Sequence, residues 1–447
     1  MRSTLFVLLL FSWSAAAQTP TDLPPADARG DLLIRNATVL TVTNGTHENT
    51  DILVREGRIE ELGQGLSAPG RGRVIDGAGL FVMPGIIDAH SHIALSNVNE
   101  SRNTITAEVQ MGDVTNPTQI AIYRALAGGV TTIHTLHGSA NAIGGESETL
   151  KLRYGTFDPN ALHFEGAPRT IKFALGENPT RVHGRGRDIR PRSRMGVEQL
   201  YREAFSEARR YRDAQNEATE NGSTPPPYSR RMETLADILD GEIIVHCHSY
   251  RADEIYMLLN VLSDFGVERI TFQHVNEGFK VAPELAAFGA GASVFSDWWG
   301  YKFEVYYSTA YNAAILARNG VTTSINSDSG ELIRHLYHEA AKTQRYGDLS
   351  DDEALALITI NPAWQLGIDD RVGSIEEGKD ADLAIFTAHP LSIYARPVMT
   401  IVDGVVRFDE ERDGDDMRLD VDPEAKIEDV RLFDHNEEAC LVDAFVL

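Results

Sequence analysis

The chain has 447 residues, 42% of them apolar and 8% aromatic. That composition excludes a globally disordered chain and suffices for one large domain with a smaller one, or for two of medium size. The formal net charge of −25 excludes a nucleic-acid partner, because phosphate binding needs clustered Lys and Arg.

The amino terminus reads as an export signal. Arg2 supplies a short positive segment, residues 5–13 form an apolar run too short to span a bilayer, and Ala15, Ala16 and Ala17 precede Gln18 as a small-residue cleavage site. Residues 1–17 are therefore expected to be cut from a secreted or periplasmic protein, whose mature chain has no membrane span. Residues 18–30, rich in Pro, Asp and Ala, read as a linker. From Asp31 onward, short apolar runs around Leu33, Val39, Ile52, Val54 and Ile59 are broken by Asn44-Gly45 and Glu56-Gly57, the punctuation of antiparallel hairpins. The same texture returns at 382–386 and 399–408. One small β-sandwich built from both chain ends, 31–83 with 372–408, is the expectation.

Residues 84–371 alternate differently. Strand-like runs fall at 85–87, 130–133, 170–174, 243–245, 270–272, 292–295 and 322–325, with helix-like segments at 119–127, 198–211, 252–265, 310–319 and 332–344. Such alternation predicts a parallel sheet, and the length fits an α/β fold of the (β/α)8 TIM-barrel type. An eighth strand, third in order, falls at 149–153 or at 162–164. Residues 409–447 read as a solvated acidic tail. Two cysteines are present, Cys247 between two histidines and Cys440 in that tail, and both are expected to be unpaired thiols.

His90-Ser91-His92 directly follows the apolar run containing Ile86 and Ile87. On a strand, residues i and i+2 share a face, so two imidazoles are presented side by side at the strand's C-terminal end, where barrel sites are built. Imidazole suits zinc and related divalent ions. His246 and His248 follow 243–245 in the same way, His274 follows 270–272, and Asp328 follows 322–325 after a short linker. Four strand ends carrying His or Asp point to a metal centre rather than to scattered surface histidines. His134 and His137, after the second strand, are weaker candidates.

Residues 82–93, VMPGIIDAHSHI, resemble the first-strand signature of the amidohydrolase superfamily, and 374–386, SIEEGKDADLAIF, resemble the segment with which such chains re-enter their small β-sandwich. Over roughly residues 31–408, the chain is most similar to imidazolonepropionase-like and prolidase-like members. The resemblance implies that His90, His92 and Asp328 hold one metal ion and that His246 and His274 hold a second. Binuclear members bridge the two ions with a Lys carboxylated by CO2, and Lys172, on the fourth strand, is the matching residue. An ammonium repels a metal ion, whereas a carbamate offers one oxygen to each. With Lys172 unmodified, the site is mononuclear. Imidazolonepropionase and deaminase-type members place an acid three residues beyond the fifth-strand His. Here that position is Ser249, so His246-Cys247-His248 resembles the binuclear, peptidase-like branch instead.

The implied cofactor is one or two divalent ions, zinc first, with manganese, iron or cobalt also suited to the donors. Asp328 is placed to take a proton from water and pass it to a leaving nitrogen. Six arginines between Arg181 and Arg194 follow the fourth strand. Either Arg181 holds a substrate carboxylate with its planar fork, or the stretch is a solvated basic loop. Gly144 and Gly145 either offer backbone donors or form a plain connector. His248 either contacts substrate, supports a ligand or is structural. The expected function is hydrolysis of a C–N bond in a small amide, dipeptide or cyclic amide. The alternatives are a mononuclear hydrolase or lactonase and an inactive metal- or solute-binding protein. Asp328 beside His90 and His92 speaks against the last, because a binder has no use for a proton-transfer acid. An oligomer is compatible with the sequence.

Overall fold

The structure is a computed structural model and describes residues 24–411. The expected export segment, Cys440 and nearly all of the acidic tail lie outside the described residues. Strands β1 (Leu32–Leu40), β2 (Thr46–Arg55), β3 (Arg58–Gly63), β4 (Arg73–Asp76) and β5 (Phe81–Pro84) come from the amino-terminal part of the chain. Eight more, β6 (Ile86–Ser91), β7 (Val130–Thr135), β8 (Ile143–Lys151), β9 (Arg169–Ala174), β10 (Ile243–Ser249), β11 (Ile270–His274), β12 (Gly291–Val294) and β13 (Thr323–Ile325), form a second sheet in sequence order. The chain then returns through β14 (Leu383–Phe386), β15 (Pro397–Val402) and β16 (Val405–Asp409), which join the first sheet in the order β16-β15-β14-β5-β1-β2-β3, with β4 also paired to β1. Alternating apolar residues, among them Leu32, Ile34, Ile52, Val54, Leu383 and Ile401, give this sheet a core of its own.

The β6–β13 sheet curls into a nearly closed barrel. Its last gap is bridged by backbone rather than by a ladder. The amide of Asp328 donates to the His90 carbonyl at 3.0 Å, and Leu357 and Ile358 accept from Ile325 and Ile87. Helices cover the outside. The helix Ala252–Phe265 has the expected bounds and ends at Gly266, whose φ of 76° supplies the left-handed cap. The longest, Arg194–Asn221, starts at Ser193, whose hydroxyl accepts from the Gly196 amide, and buries Val197, Leu200, Tyr201, Ala204, Phe205 and Ala208 along one stripe. Tyr201 donates to the carbonyl of Ala174 at 2.7 Å and stacks on Phe173 at 5.3 Å, so this helix fixes the end of β9 beside Lys172. Cys247 is a buried free thiol. Among the described residues, no helix is long and apolar enough to cross a membrane.

One strand departs from the expected parallel arrangement. β8 runs antiparallel to both β7 and β9. A parallel neighbour needs a crossover of about a dozen residues or more, and the link from Thr135 to Ile143 is too short for one. The strand also begins before either expected position, because its segment Gly144-Gly145-Glu146-Ser147-Glu148 carries no apolar run. Of the second expected position, His163 makes only an isolated bridge to Leu150. Reversal puts the start of β8 at the same end of the barrel as the C-termini of the other strands. Its last residue, Lys151, lies at the opposite end, against Asp380, Asp382 and Asp403 of the returning chain.

Candidate active site

The expected site residues converge at the barrel's C-terminal end. His90 lies in β6, two residues beyond Asp88, and His92 lies just past the strand's end. Lys172 of β9 pairs in register with His246 of β10, and His248 pairs with Gln273 of β11. Simple alternation would turn His274 outward if Gln273 faces in. A φ of 69° at His274, followed by 47° at Val275, breaks the alternation and brings both side chains inward. Asp328 likewise has a φ of 45°. His and Asp tolerate this left-handed backbone better than branched residues do.

Asp328 sits among three histidines. Its Oδ1 is 3.2 Å from His92 Nε2 and 3.5 Å from His90 Nε2, and its Oδ2 is 3.8 Å from His274 Nε2. Lys172 Nζ is 3.2 Å from His90 Nε2. The distal ring nitrogens fix the tautomers. His92 Nδ1 lies 2.9 Å from the Leu136 carbonyl, which can only accept, so the proton is on Nδ1. His90 Nδ1 donates to Gln273 Oε1 at 3.1 Å. In both rings the Nε2 lone pair is therefore aimed at the Asp328 carboxylate. Lone pairs facing a carboxylate repel unless a cation lies between them.

Other atoms agree with a cation. His274 Nδ1 and Nε2 and His248 Nδ1 and Nε2 are buried without a hydrogen-bond partner. Each such atom costs about 1–3 kcal/mol when left bare, so the donor set fits a divalent ion. One donor each from His90, His274 and Asp328 lie within 4.8 Å of one another, drawing one histidine from each of the two expected ligand groups. His246 stands slightly apart. Its Nδ1 accepts from Gln273 Nε2 at 3.0 Å, and its ring centroid is 4.4 Å from that of His134.

Burial keeps these rings neutral. It holds His90, His246 and His248 well below the ordinary imidazole range and His274 at about 3. Burial alone raises the Asp328 carboxyl, but the His92 contact and the nearby Lys172 ammonium help hold it below its usual value. Neutral imidazoles beside an ionised carboxylate are the protonation states a metal ion requires. Behind Asp328, the buried Asp88 carboxylate accepts from the Ser327 amide at 3.0 Å and from the Ser327 hydroxyl at 2.5 Å, pinning the turn that carries Asp328. Burial pushes the Asp88 carboxyl up to about 7.

The outlying predicted residues divide. His248 packs edge-on against His274, with centroids 4.8 Å apart, and against Tyr250 at 4.6 Å, so it belongs to the cluster. Gly144 lies under His137, where an added Cβ would come within 2.8 Å of Nδ1, and Gly145 lies against Val109. Arg181 is 3.8 Å from Glu177 in a π-helical turn after β9. Most of the neighbouring arginines are engaged elsewhere: Arg187 at Ser101, Arg190 at Glu203, Arg192 at Asp188 and Arg194 at Glu254 and Glu304.

The amidohydrolase family model matches residues 241–408, which run from β10 into β16. A crystal structure described as an amidohydrolase from Thermotoga maritima MSB8 is 31% identical in sequence, with a TM-score of 0.78 over 85% of this chain and 100% of that one. The chain belongs to the amidohydrolase superfamily. A curated superfamily relative, Amidohydrolase tasK of Hapsidospora irregularis, is 32% identical over 393 residues. That match covers 80% of this chain and spans 40% of the relative's own length. An adenosine deaminase from Xanthomonas campestris with bound zinc shares the fold at 17% identity and a TM-score of 0.55.

Three elements of this amidohydrolase site escaped the sequence reading. Gln273 adjoins His274, and strand alternation assigned it to the other face. Asp88 precedes the His pair at i−2, the same spacing that identified His92, and that signal was available. The ring of Tyr250, stacked on His274 at 5.5 Å, comes from the loop after β10 and had no signal in spacing.

Proposed function

We propose that this protein is a metal-dependent hydrolase of a C–N bond in a small amide, dipeptide or cyclic amide. The observation that carries the reading is the pair of Nε2 lone pairs, from His90 and His92, directed at the Asp328 carboxylate within 3.5 Å. Bound there, a divalent ion supplies a Lewis acid and lowers the pKa of water from about 16 to about 7. His90, His92, His274 and Asp328 are the residues that would hold it, with His246 added in a two-ion site, and zinc suits them best, with manganese, iron or cobalt as further candidates. Asp328 takes a proton from the attacking water and delivers it to the leaving nitrogen as the C–N bond breaks, while the water oxygen stays on the new carboxyl group. Gln273 and the Leu136 carbonyl hold the two β6 imidazoles in their ligating tautomers.

Lys172, buried beside His90 and in register with His246, supports a carbamate-bridged pair of ions. A mononuclear site is the second reading. In its favour, Gln273 donates to His246 Nδ1, which leaves the neutral His246 with its proton on Nε2, away from a ligating role. The amino-terminal pattern supports an exported enzyme working in the periplasm or outside the cell, and Arg181 remains the candidate for a substrate carboxylate.

Metal content per chain, measured by elemental analysis on wild type and Lys172→Ala prepared with bicarbonate, tests both readings. About two ions falling on substitution supports the bridged site. One ion in both proteins moves the function to mononuclear chemistry, and none in either overturns the hydrolase reading.

A further inference from the structure

The segment after β12 carries aromatic residues that the metal site does not use. Phe295 stacks on His274 with centroids 4.7 Å apart, Trp298 stacks on Phe295 at 4.5 Å, and Tyr301 meets Trp298 edge-on at 5.9 Å. Tyr301 returns to Tyr250 through a 3.0 Å hydroxyl contact, and Tyr250 stacks on the other side of the circuit against His274 at 5.5 Å. The rings therefore close a loop that starts and ends at a metal-site histidine. Lys302 Nζ lies 4.1 Å over the Tyr250 ring. The same Lys302 lines a cleft of about 760 Å³, together with Trp299, Phe303, Val305, Tyr306 and Tyr311. Trp299 is 54% exposed, Phe303 85% and Tyr306 71%.

Exposed aromatic rings in this number are unusual on a soluble surface and mark a binding site. The cleft is shallow and open, its volume falls within the range of about 300–1,000 Å³ common to small-molecule sites, and it follows β12 at the C-terminal end of the barrel. Its continuity with the ring circuit places it one side chain, Lys302, away from the residues around His274. We infer that this cleft is the subsite for a large apolar group of the substrate, an aromatic or medium-chain acyl group attached to the amide that is hydrolysed. The inference rests on the hydrolase reading for the chemistry, but binding in the cleft requires no turnover.

The test uses the metal-loaded protein and straight-chain carboxylates from acetate to octanoate, with affinity read from intrinsic tryptophan fluorescence and calorimetry. Wild type is expected to gain up to about fourfold in affinity per added methylene, and Trp299→Ala with Phe303→Ala is expected to flatten that dependence. Both side chains are solvent-exposed, so the variant keeps its fold. No chain-length dependence in wild type, an identical dependence in the variant, or aromatic residues that govern only self-association would each overturn the inference. N-acetyl- and N-octanoylglycine as substrates separate the two readings. Equal kcat/KM for both, unchanged in the variant, sinks the cleft and keeps the hydrolase. Chain-length-dependent binding with no hydrolysis of either sinks the hydrolase reading for acyl amides and keeps the cleft.

Discussion

At the scale of single residues, the site depends on what orients each imidazole as much as on the imidazoles themselves. Gln273 bonds His90 at 3.1 Å and His246 at 3.0 Å, so one amide sets two tautomers. Gln273→Leu keeps the volume and removes both bonds. Metal affinity, measured by competition with a chelator, is expected to fall roughly 10- to 100-fold, and an unchanged affinity would remove Gln273 from this role. In the proposed mechanism Asp328 has two jobs, as metal donor and as proton carrier, and Asp328→Asn keeps the shape while abolishing the second. Turnover is expected to drop roughly 100- to 10,000-fold with metal content largely retained. Full turnover with metal retained would sink the assignment. His90, His92, His246, His274 and Asp328 were legible because strand-end histidines announce themselves by spacing. Gln273 was not, because it adjoins His274, and only the left-handed backbone at His274 lets two neighbouring residues both face inward.

At the scale of elements, β8 is the informative exception. Its reversed direction delivers Gly144 and Gly145 to the barrel's C-terminal end, where His137 packs against the first and Val109 against the second. An alanine at position 145 would place its Cβ 2.6 Å from Val109 Cγ2 and 2.8 Å from the Val109 carbonyl oxygen. Backbone on that side cannot yield cheaply, so Gly145→Ala is expected to destabilise the protein by about 1–3 kcal/mol. Calorimetric melting would detect the loss, and an unshifted Tm would mean that the loop gives way freely. The seven parallel strands were readable from apolar runs followed by helical periodicity. β8 was misplaced because it is polar along its first half, and because strand direction is decided by connection length rather than by composition.

At the scale of the molecule, the barrel and the composite sheet are joined by a buried ion cluster. Lys151 Nζ lies 2.7 Å from Asp380, 3.1 Å from Asp382 and 2.7 Å from Asp403, and Arg153 and Arg371 complete the balance. Lys151→Met would leave three buried carboxylates without their central cation, at a cost of about 3–5 kcal/mol. A urea midpoint equal to that of wild type would show the cluster to be dispensable. Acid should also weaken the whole molecule. Burial holds His134 at about 3 and His183 at about 4, against an ordinary 6.5. The unfolded chain then binds more protons than the fold below pH 6.5, so stability present above that value is lost as the pH falls toward about 4 to 3. Urea midpoints that stay flat between about pH 7 and about pH 5 would contradict this.

Local pattern by itself determined the strand–helix alternation, the recruitment of both chain ends into one sheet, and the residue types that gather at the strand ends, because apolar periodicity and i, i+2 spacing are written directly in the order of residues. Only the tertiary structure decided which way β8 runs, that Gln273 stands between His90 and His246, that Asp88 pins the turn before Asp328, and that an aromatic circuit leads outward from His274. Each of these depends on distant segments meeting in space or on a backbone angle at one residue, and neither leaves a period in the sequence.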